Sequence, residues 1–302
     1  MPQAVSFARY GGPEVLEVIE VPEKQAGEGQ VRVAVRTAGL NPFDVKVRHG
    51  VLPKHTLPSL QGSEFAGVVD QVGAGVTQWR VGDEVLGWIG RGAQAEQVVV
   101  AATSLTAKPQ GLDWVTAGGL GLVGNTAKRA TDSLSLGAHD TVLVSGAAGG
   151  VGLLSAQFAR LAGATVLGTA SMRNHDALRA LGVVPVAYGA GMLERLRDAA
   201  PHGITAMLDT VGGEAIEVAI ALGVPTTRIN TIADHEAAAR LGLGTVGGGG
   251  KTSAELSEIA QLATAGSLVL PIRSSYPMSE VRAAYEDLES GHGLGKIVLV
   301  IA

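Results

Sequence analysis

The chain has 302 residues, of which 46% are hydrophobic, carries a formal net charge of −5 and contains no cysteine. That length accommodates about two domains, and the missing cysteines exclude disulfides, a thiolate nucleophile and cysteine-ligated zinc. No basic block suggests nucleic acid, and no apolar run reaches the ~18 residues of a bilayer span, so a soluble cytoplasmic protein is expected.

The first 120 or so residues read as short strands between turns. Ala4–Phe7, Leu16–Val21 and Val31–Arg36 alternate apolar and polar residues. Asn41-Pro42-Phe43-Asp44 starts a short helix, with Asn41 as N-cap, Pro42 in the first position and Asp44 at N3. Further strands and glycine turns follow through Leu60–Gly73, Val81–Gly87 and Gly92–Val100, giving a small β-barrel-like domain.

From residue 122 the rhythm becomes α/β. A helix is expected from Thr126 to Leu134, then strands at Thr141–Ser145, Thr165–Thr169, Pro185–Tyr188, Ala206–Asp209 and Thr227–Thr231. Helices centre near Gln157, Leu178, Leu193 and Ile216, which predicts a doubly wound parallel sheet. A last strand is expected at Leu241–Val246, then the loop Gly247–Gly250, with no Walker-type helix behind it. A helix over Ser253–Ala265 ends this domain. The tail returns to β-type sequence, with a helix from Pro277 to Ser290 and a closing strand over Gly293–Val300.

The richest motif is Val142-Leu143-Val144-Ser145-Gly146-Ala147-Ala148-Gly149-Gly150-Val151-Gly152, a strand, a glycine turn and a helix start. Glycines let backbone approach a pyrophosphate, and the helix start offers free N–H groups and a positive dipole end. The spacing is G-x-x-G-x-x-G, so the motif alone suits either a dinucleotide or a bare tight turn.

Five ordered matches carry a family resemblance. They are Ala38-Gly39-Leu40-Asn41-Pro42-Phe43-Asp44, Gly62-Ser63-Glu64-Phe65-Ala66-Gly67 with Gly82-Asp83-Glu84-Val85, the turn at Gly146–Gly152, Leu208-Asp209-Thr210-Val211-Gly212-Gly213, and Gly295-Lys296-Ile297-Val298-Leu299. Together they resemble the medium-chain dehydrogenase/reductase superfamily, in its zinc-independent quinone oxidoreductase branch of the zeta-crystallin type. The resemblance implies a GroES-like catalytic domain over residues 1–121 and 266–302, and a Rossmann domain over residues 122–265. It also implies an active-site cleft between the two, a nicotinamide cofactor and a homodimer joined through Rossmann sheet edges. Zinc-dependent alcohol dehydrogenases share the scaffold but place a cysteine near Asn41 or Asp44, a histidine where Ser63 stands, and a four-cysteine lobe after the Gly-Asp-x-Val element. The seven histidines (His49, His55, His139, His175, His202, His235, His292) show no ligand spacing, so no metal is expected.

NAD enzymes put an acidic residue about 20 residues past the glycine turn to bind the ribose hydroxyls. Here the second strand exits through Thr169-Ala170-Ser171-Met172-Arg173-Asn174, with no acid before Asp176. Ser171 and Asn174 can donate hydrogen bonds and Arg173 can pair with a phosphate, which predicts NADP(H). The resemblance adds Tyr188 beside that phosphate, Thr126 near the nicotinamide or phosphates, and Thr231-Ile232-Ala233 beside the carboxamide. The remaining cofactor contacts expected are Ala147, Gly149, Gly150 and Val151 of the turn, with Asn41. The catalytic candidates are Asn41, Asp44 and Lys46, although helix capping alone explains the first two. Lys46 could steady a developing enolate or face solvent.

The function expected is NADPH-dependent hydride transfer to a quinone or α,β-unsaturated carbonyl. An enoyl reductase of polyketide-type metabolism and a non-catalytic NADPH-binding protein are the alternatives. A small-molecule substrate is expected, with no nucleic-acid or membrane partner.

Overall fold

A computed structural model describes residues 1–51, 56–247, 249–291 and 293–301. Leu52–His55, Gly248 and His292, which include two of the seven histidines and one glycine of the expected loop, lie outside the described residues. The chain forms two compact units. The first takes in Met1–Leu122, Thr252–Gly291 and Lys296–Ala302, and the second Val123–Lys251 with His292–Gly295.

The first unit starts with strands β1 (Gln3–Phe7), β2 (Leu16–Glu20) and β3 (Gln30–Gly39), then helix α1 (Pro42–Arg48). Strands β4 (Ser59–Leu60), β5 (Glu64–Val72), β6 (Glu84–Trp88), β7 (Gln97–Ala101) and β8 (Leu105–Ala107) follow, and then helix α2 (Trp114–Gly118). Helix α3 (Gly121–Asp132) carries the chain onward and begins five residues earlier than the apolar pattern suggests.

The second unit contains β9 (Thr141–Val144), α4 (Gly150–Leu161), β10 (Thr165–Thr169), α5 (His175–Ala180), β11 (Val184–Val186), α6 (Met192–Ala199), β12 (Ala206–Asp209), α7 (Glu214–Ala221), β13 (Ile229–Thr231) and α8 (His235–Leu241). The chain then returns to the first unit through α9 (Ser253–Thr264), β14 (Ile272–Pro277), α10 (Val281–Glu289) and β15 (Lys296–Val300).

Two expectations change here. No strand forms over Leu241–Val246: α8 occupies its start, and only Gly244 makes a bridge, to Asn230. The helix expected to end the Rossmann domain, α9, belongs to the first unit, where it packs on β8. The fifth Rossmann strand is also shorter than its pattern, because Thr226–Arg228 forms a 3-10 turn before β13.

In the first unit, β2-β1-β4 make a small sheet and β14-β15-β3-β5-β6-β8 a larger one, with β7 paired to β3. Alternation along β3 puts Val31, Val33 and Val35 into a core with Phe65, Val69, Val85 and Val98. The second core of this unit joins Phe7, Leu16, Leu40 and Val47 to Tyr285, Ile297 and Leu299. Burying each such aliphatic side chain contributes roughly 1.5–3 kcal/mol.

The second unit holds a parallel sheet in the order β11-β10-β9-β12-β13. That is the order of a Rossmann fold, with the first strand at the centre and the chain reversing direction beside it. Along β9, Val142 and Val144 join a core with Leu153 and Ala156 of α4 and Leu178 of α5. Leu143 joins the other core, with Leu196 of α6, Ile216 of α7 and Ala238 of α8. The sheet is therefore covered on both faces, which is why its central strand β9 reads as the continuous apolar run Val142-Leu143-Val144. Among the described residues, no helix is long and apolar enough to cross a membrane.

Candidate active site

In the second unit, Gly146 follows β9 with φ +63, and a Cβ there would press within 2.7 Å of Thr210 Oγ1 and Val211 Cγ2. Gly149 caps α4, and its N–H donates to the Gly146 carbonyl at 3.0 Å. Gly150 and Val151 form the first helical positions, whose N–H groups have no partner within the helix. Gly152 lets α4 approach the turn: a Cβ there would collide with the Gly146 carbonyl oxygen. Gly149 differs, because a Cβ there would meet nothing closer than 3.4 Å. Gly152 is thus needed for packing, while Gly149 leaves backbone open at the helix start.

The residues expected at the cofactor sit at or beyond the carboxyl ends of these parallel strands, except Thr126, which is buried on α3, and Asn41, which is buried at the start of α1 in the first unit. They divide by how their polar atoms are used. Thr169 accepts from Gly146 N–H at 3.2 Å through Oγ1, and its carbonyl accepts from Ala147 N–H at 3.0 Å. Asn174 is buried and donates to Ser171 Oγ at 3.3 Å. Thr231 donates to Asp209 at 2.5 Å and accepts from the N–H groups of Ala233 and Asp234, leaving Ile232 between them half-buried. Arg173 and Tyr188 are exposed, the latter at 54%. Neither has an ion-pair partner among the described residues.

A buried carboxylate, Asp209, ties these loops together. It accepts from Ser145 Oγ at 2.5 Å, from Gly212 N–H at 2.9 Å and from Val211 N–H at 3.2 Å, besides Thr231. Charge-assisted bonds of this kind are the strong ones. Ser145 in turn accepts from Thr210 N–H at 2.9 Å. One side chain thereby fixes the ends of β9, β12 and β13.

The first unit holds a second buried polar cluster. Asn41 begins α1 in a capping box with Asp44, whose Oδ2 accepts from Asn41 N–H at 2.9 Å. Asp44 Oδ1 accepts from Ser63 Oγ at 2.7 Å. Burial raises the Asp44 carboxyl from 3.8 to about 6, against the opposing pull of Ser63 and Lys296. The Asn41 amide is locked in one orientation: Nδ2 donates to Glu64 at 2.8 Å, and Oδ1 accepts from Lys296 Nζ at 2.8 Å. Lys296 also donates to Glu64 and to the Leu40 carbonyl, while the second Glu64 oxygen accepts from Leu122 N–H at 2.5 Å.

Asn41 and Asp44 therefore meet in one cluster. The ammonium in that cluster is Lys296; Lys46 lies half-buried on α1. Glu64, Lys296 and Asp209 were not singled out from the sequence as site residues. The available signal was charge within an apolar strand, as in Lys296-Ile297-Val298-Leu299.

A family profile for the "Alcohol dehydrogenase GroES-like domain" matches residues 27–110, and one for "Zinc-binding dehydrogenase" matches residues 181–299. The quinone oxidoreductase of Coxiella burnetii superposes on 100% of this chain and 99% of its own, with a TM-score of 0.91 and 30% identity. The chain belongs to the medium-chain dehydrogenase/reductase superfamily, in its quinone oxidoreductase branch.

A Pseudomonas aeruginosa quinone oxidoreductase is 42% identical over 57% of this chain, a stretch that spans about half of that relative, 53%. The Streptomyces halstedii polyketide synthase GfsB is 33% identical over 91% of this chain and 5% of its own length. A mycobacterial protein solved in complex with NADPH has a TM-score of 0.87 at 26% identity, covering 100% of both chains.

The second profile's description names zinc, and the donor set here does not fit that ion. The chain has no cysteine, and no group of three or more His, Asp or Glu side chains is disposed to hold a metal among the described residues. The Asp44 and Glu64 oxygens are occupied by N–H, O–H and ammonium donors.

Proposed function

We propose that this chain is an NADPH-dependent reductase of quinones or α,β-unsaturated carbonyls that works without zinc. The observation that carries the reading is the exit of β10. It offers Ser171 and the exposed cation Arg173 with no carboxylate before Asp176, beside the exposed Tyr188 that follows β11. A carboxylate there would repel a 2′-phosphate, whereas a guanidinium pairs with one bidentately. When bound, NADPH supplies the hydride.

The chain's own residues bind and orient. The α4 start, with Gly149, Gly150 and Val151, would hold the pyrophosphate on free N–H groups. Ala147, Thr169 and Asn174 shape the turn and the β10 exit, while Thr126 and Thr231-Ile232-Ala233 are assigned to the nicotinamide side. Asn41 uses one Nδ2 hydrogen on Glu64. The other is the donor we assign to the oxygen of a conjugated acceptor, where charge develops during reduction. Asp44 holds the α1 start that presents Asn41, and Lys46 on the same helix is the second polar group assigned to substrate. Conjugation favours such acceptors, because it moves charge to an oxygen without a Lewis acid.

The test is stopped-flow loss of NADPH absorbance with 1,4-benzoquinone or an alkenal. Turnover is expected, with a lower KM for NADPH than for NADH. No turnover with any conjugated acceptor, or a KM for NADH at or below that for NADPH, would overturn the proposal. A second reading, reduction of an enoyl thioester, is favoured by the likeness to polyketide synthases across nine-tenths of the chain. A kcat/KM on a crotonyl thioester well above that on quinone would decide for it.

We propose a cytoplasmic homodimer joined through Rossmann sheet edges, as the family resemblance implies. Light scattering on the purified protein tests the stoichiometry.

A further inference from the structure

Arg195 on α6 spends its whole guanidinium on one loop. Nε and Nη2 donate to the Ala187 carbonyl at 3.0 and 2.9 Å, Nη2 to Gly189 at 3.1 Å and Tyr188 at 3.4 Å, and Nη1 to Ala190 at 2.9 Å. Four successive carbonyls thus converge on one cation. Their dipoles repel one another when aligned this way, so the loop conformation depends on a positive group at its centre. Gly189 and Gly191 supply the left-handed turns that bend the loop around it, with φ +81 and +78. No carboxylate pairs with Arg195 among the described residues, so this is no ordinary surface ion pair.

The enclosed loop follows β11 and carries Tyr188. It starts beside the β10 exit: Thr169 and Val186 are in register, and Ala170 N–H donates to the Val186 carbonyl at 3.0 Å. Ser171 and Arg173 leave one strand, and Tyr188 leaves its neighbour.

We infer that Arg195 is a positioning residue that sets cofactor specificity, by holding the 187–190 loop so that Tyr188 stands beside the 2′-phosphate subsite of Ser171 and Arg173. This rests on the NADP(H) reading above. The planar fork is the part that matters: a lysine keeps the charge but, as a point donor, cannot span four carbonyls.

The test measures Kd for 2′,5′-ADP and 5′-AMP by calorimetry, and for NADPH and NADH by fluorescence, in the parent, Arg195→Ala and Arg195→Lys. The parent should prefer the 2′-phosphorylated ligands. Both variants should bind those ligands roughly five- to tenfold more weakly, the scale of lost loop preorganisation. Binding of 5′-AMP and NADH should stay within about twofold, with far-UV circular dichroism unchanged. The inference is overturned if both ligand classes weaken equally, which is a merely structural role. It is also overturned if Arg195→Lys keeps the parental preference, or if Arg195→Ala behaves as the parent. A parent with no preference for 2′,5′-ADP would overturn the cofactor reading itself. A parent with that preference, retained in the variants, overturns only the role of Arg195.

Discussion

Lys296 Nζ and Glu64 Oε1 meet at 2.8 Å with side-chain exposures of 4% and 0%, across 232 residues of sequence. Water cannot screen this pair, and each partner is the other's main compensation for burial. Removing one partner from such a pair costs about 3–5 kcal/mol, because an uncompensated charge is left inside. Lys296→Met should therefore lose stability on that scale in urea denaturation. Lys296→Met/Glu64→Gln should recover part of it. A single-variant loss under about 1 kcal/mol would contradict this account of the pair.

Asp44 gives a pH prediction with a definite sign. Its folded value of about 6 lies above the unfolded 3.8, so the folded protein binds the extra proton between those values. Stability should then fall as pH rises from about 4 to about 6, with this group's cost fully present above that window. At ~1.36 kcal/mol per unit the total is about 3 kcal/mol. Comparing the unfolding free energy of the parent and Asp44→Asn across this range isolates the effect. A parent-minus-variant difference that rises with pH would contradict it.

The two glycines at the start of α4 should behave differently. Gly152→Ala drives a methyl into the Gly146 carbonyl, so the turn must shift, and the melting temperature should drop by several degrees. Gly149→Ala meets nothing closer than 3.4 Å and should melt as the parent does. It should nonetheless weaken NADPH binding, since the methyl stands over the open helix start. Equal melting loss in both would show that the distinction drawn between them is wrong.

Asp209→Ala strips the acceptor from two hydroxyls and two backbone N–H groups at once. Each bond to a charged group contributes about 1.5–3 kcal/mol, and buried donors left without acceptors add to the loss. Destabilisation of at least about 3 kcal/mol is expected, together with weaker NADPH binding as the β9 and β13 ends loosen. Denaturation and fluorescence titration read the two effects separately.

Local chemistry was legible in the sequence. The capping box of Asn41 and Asp44 spans four residues and formed as read, because its hydrogen bonds need no distant partner. The glycine turn and its helix were legible for the same reason, as were β10 and β12, whose bounds match residue for residue. Strand Leu241–Val246 was misread because an apolar run says nothing about whether a neighbouring strand is there to receive it. Helix α9 was legible as a helix over Ser253–Ala265, but its own pattern does not say which unit its apolar face meets. The Glu64–Lys296 pair lay hidden because a charge within an apolar strand does not name its partner, and only folding brings β5 and β15 to the same place.

The path of β15 has a consequence for biosynthesis. It lies inside the larger sheet of the first unit, hydrogen-bonded to β14 on one side and to β3 on the other. The second unit is almost one unbroken run, Val123–Lys251, and can collapse on the ribosome as it emerges. The unit that is translated first must keep β3 without this neighbour, and Glu64 without its cation, until Lys296 leaves the exit tunnel. During that interval the nascent chain exposes a strand edge and an unneutralised acid, the moment at which a chaperone has most to protect.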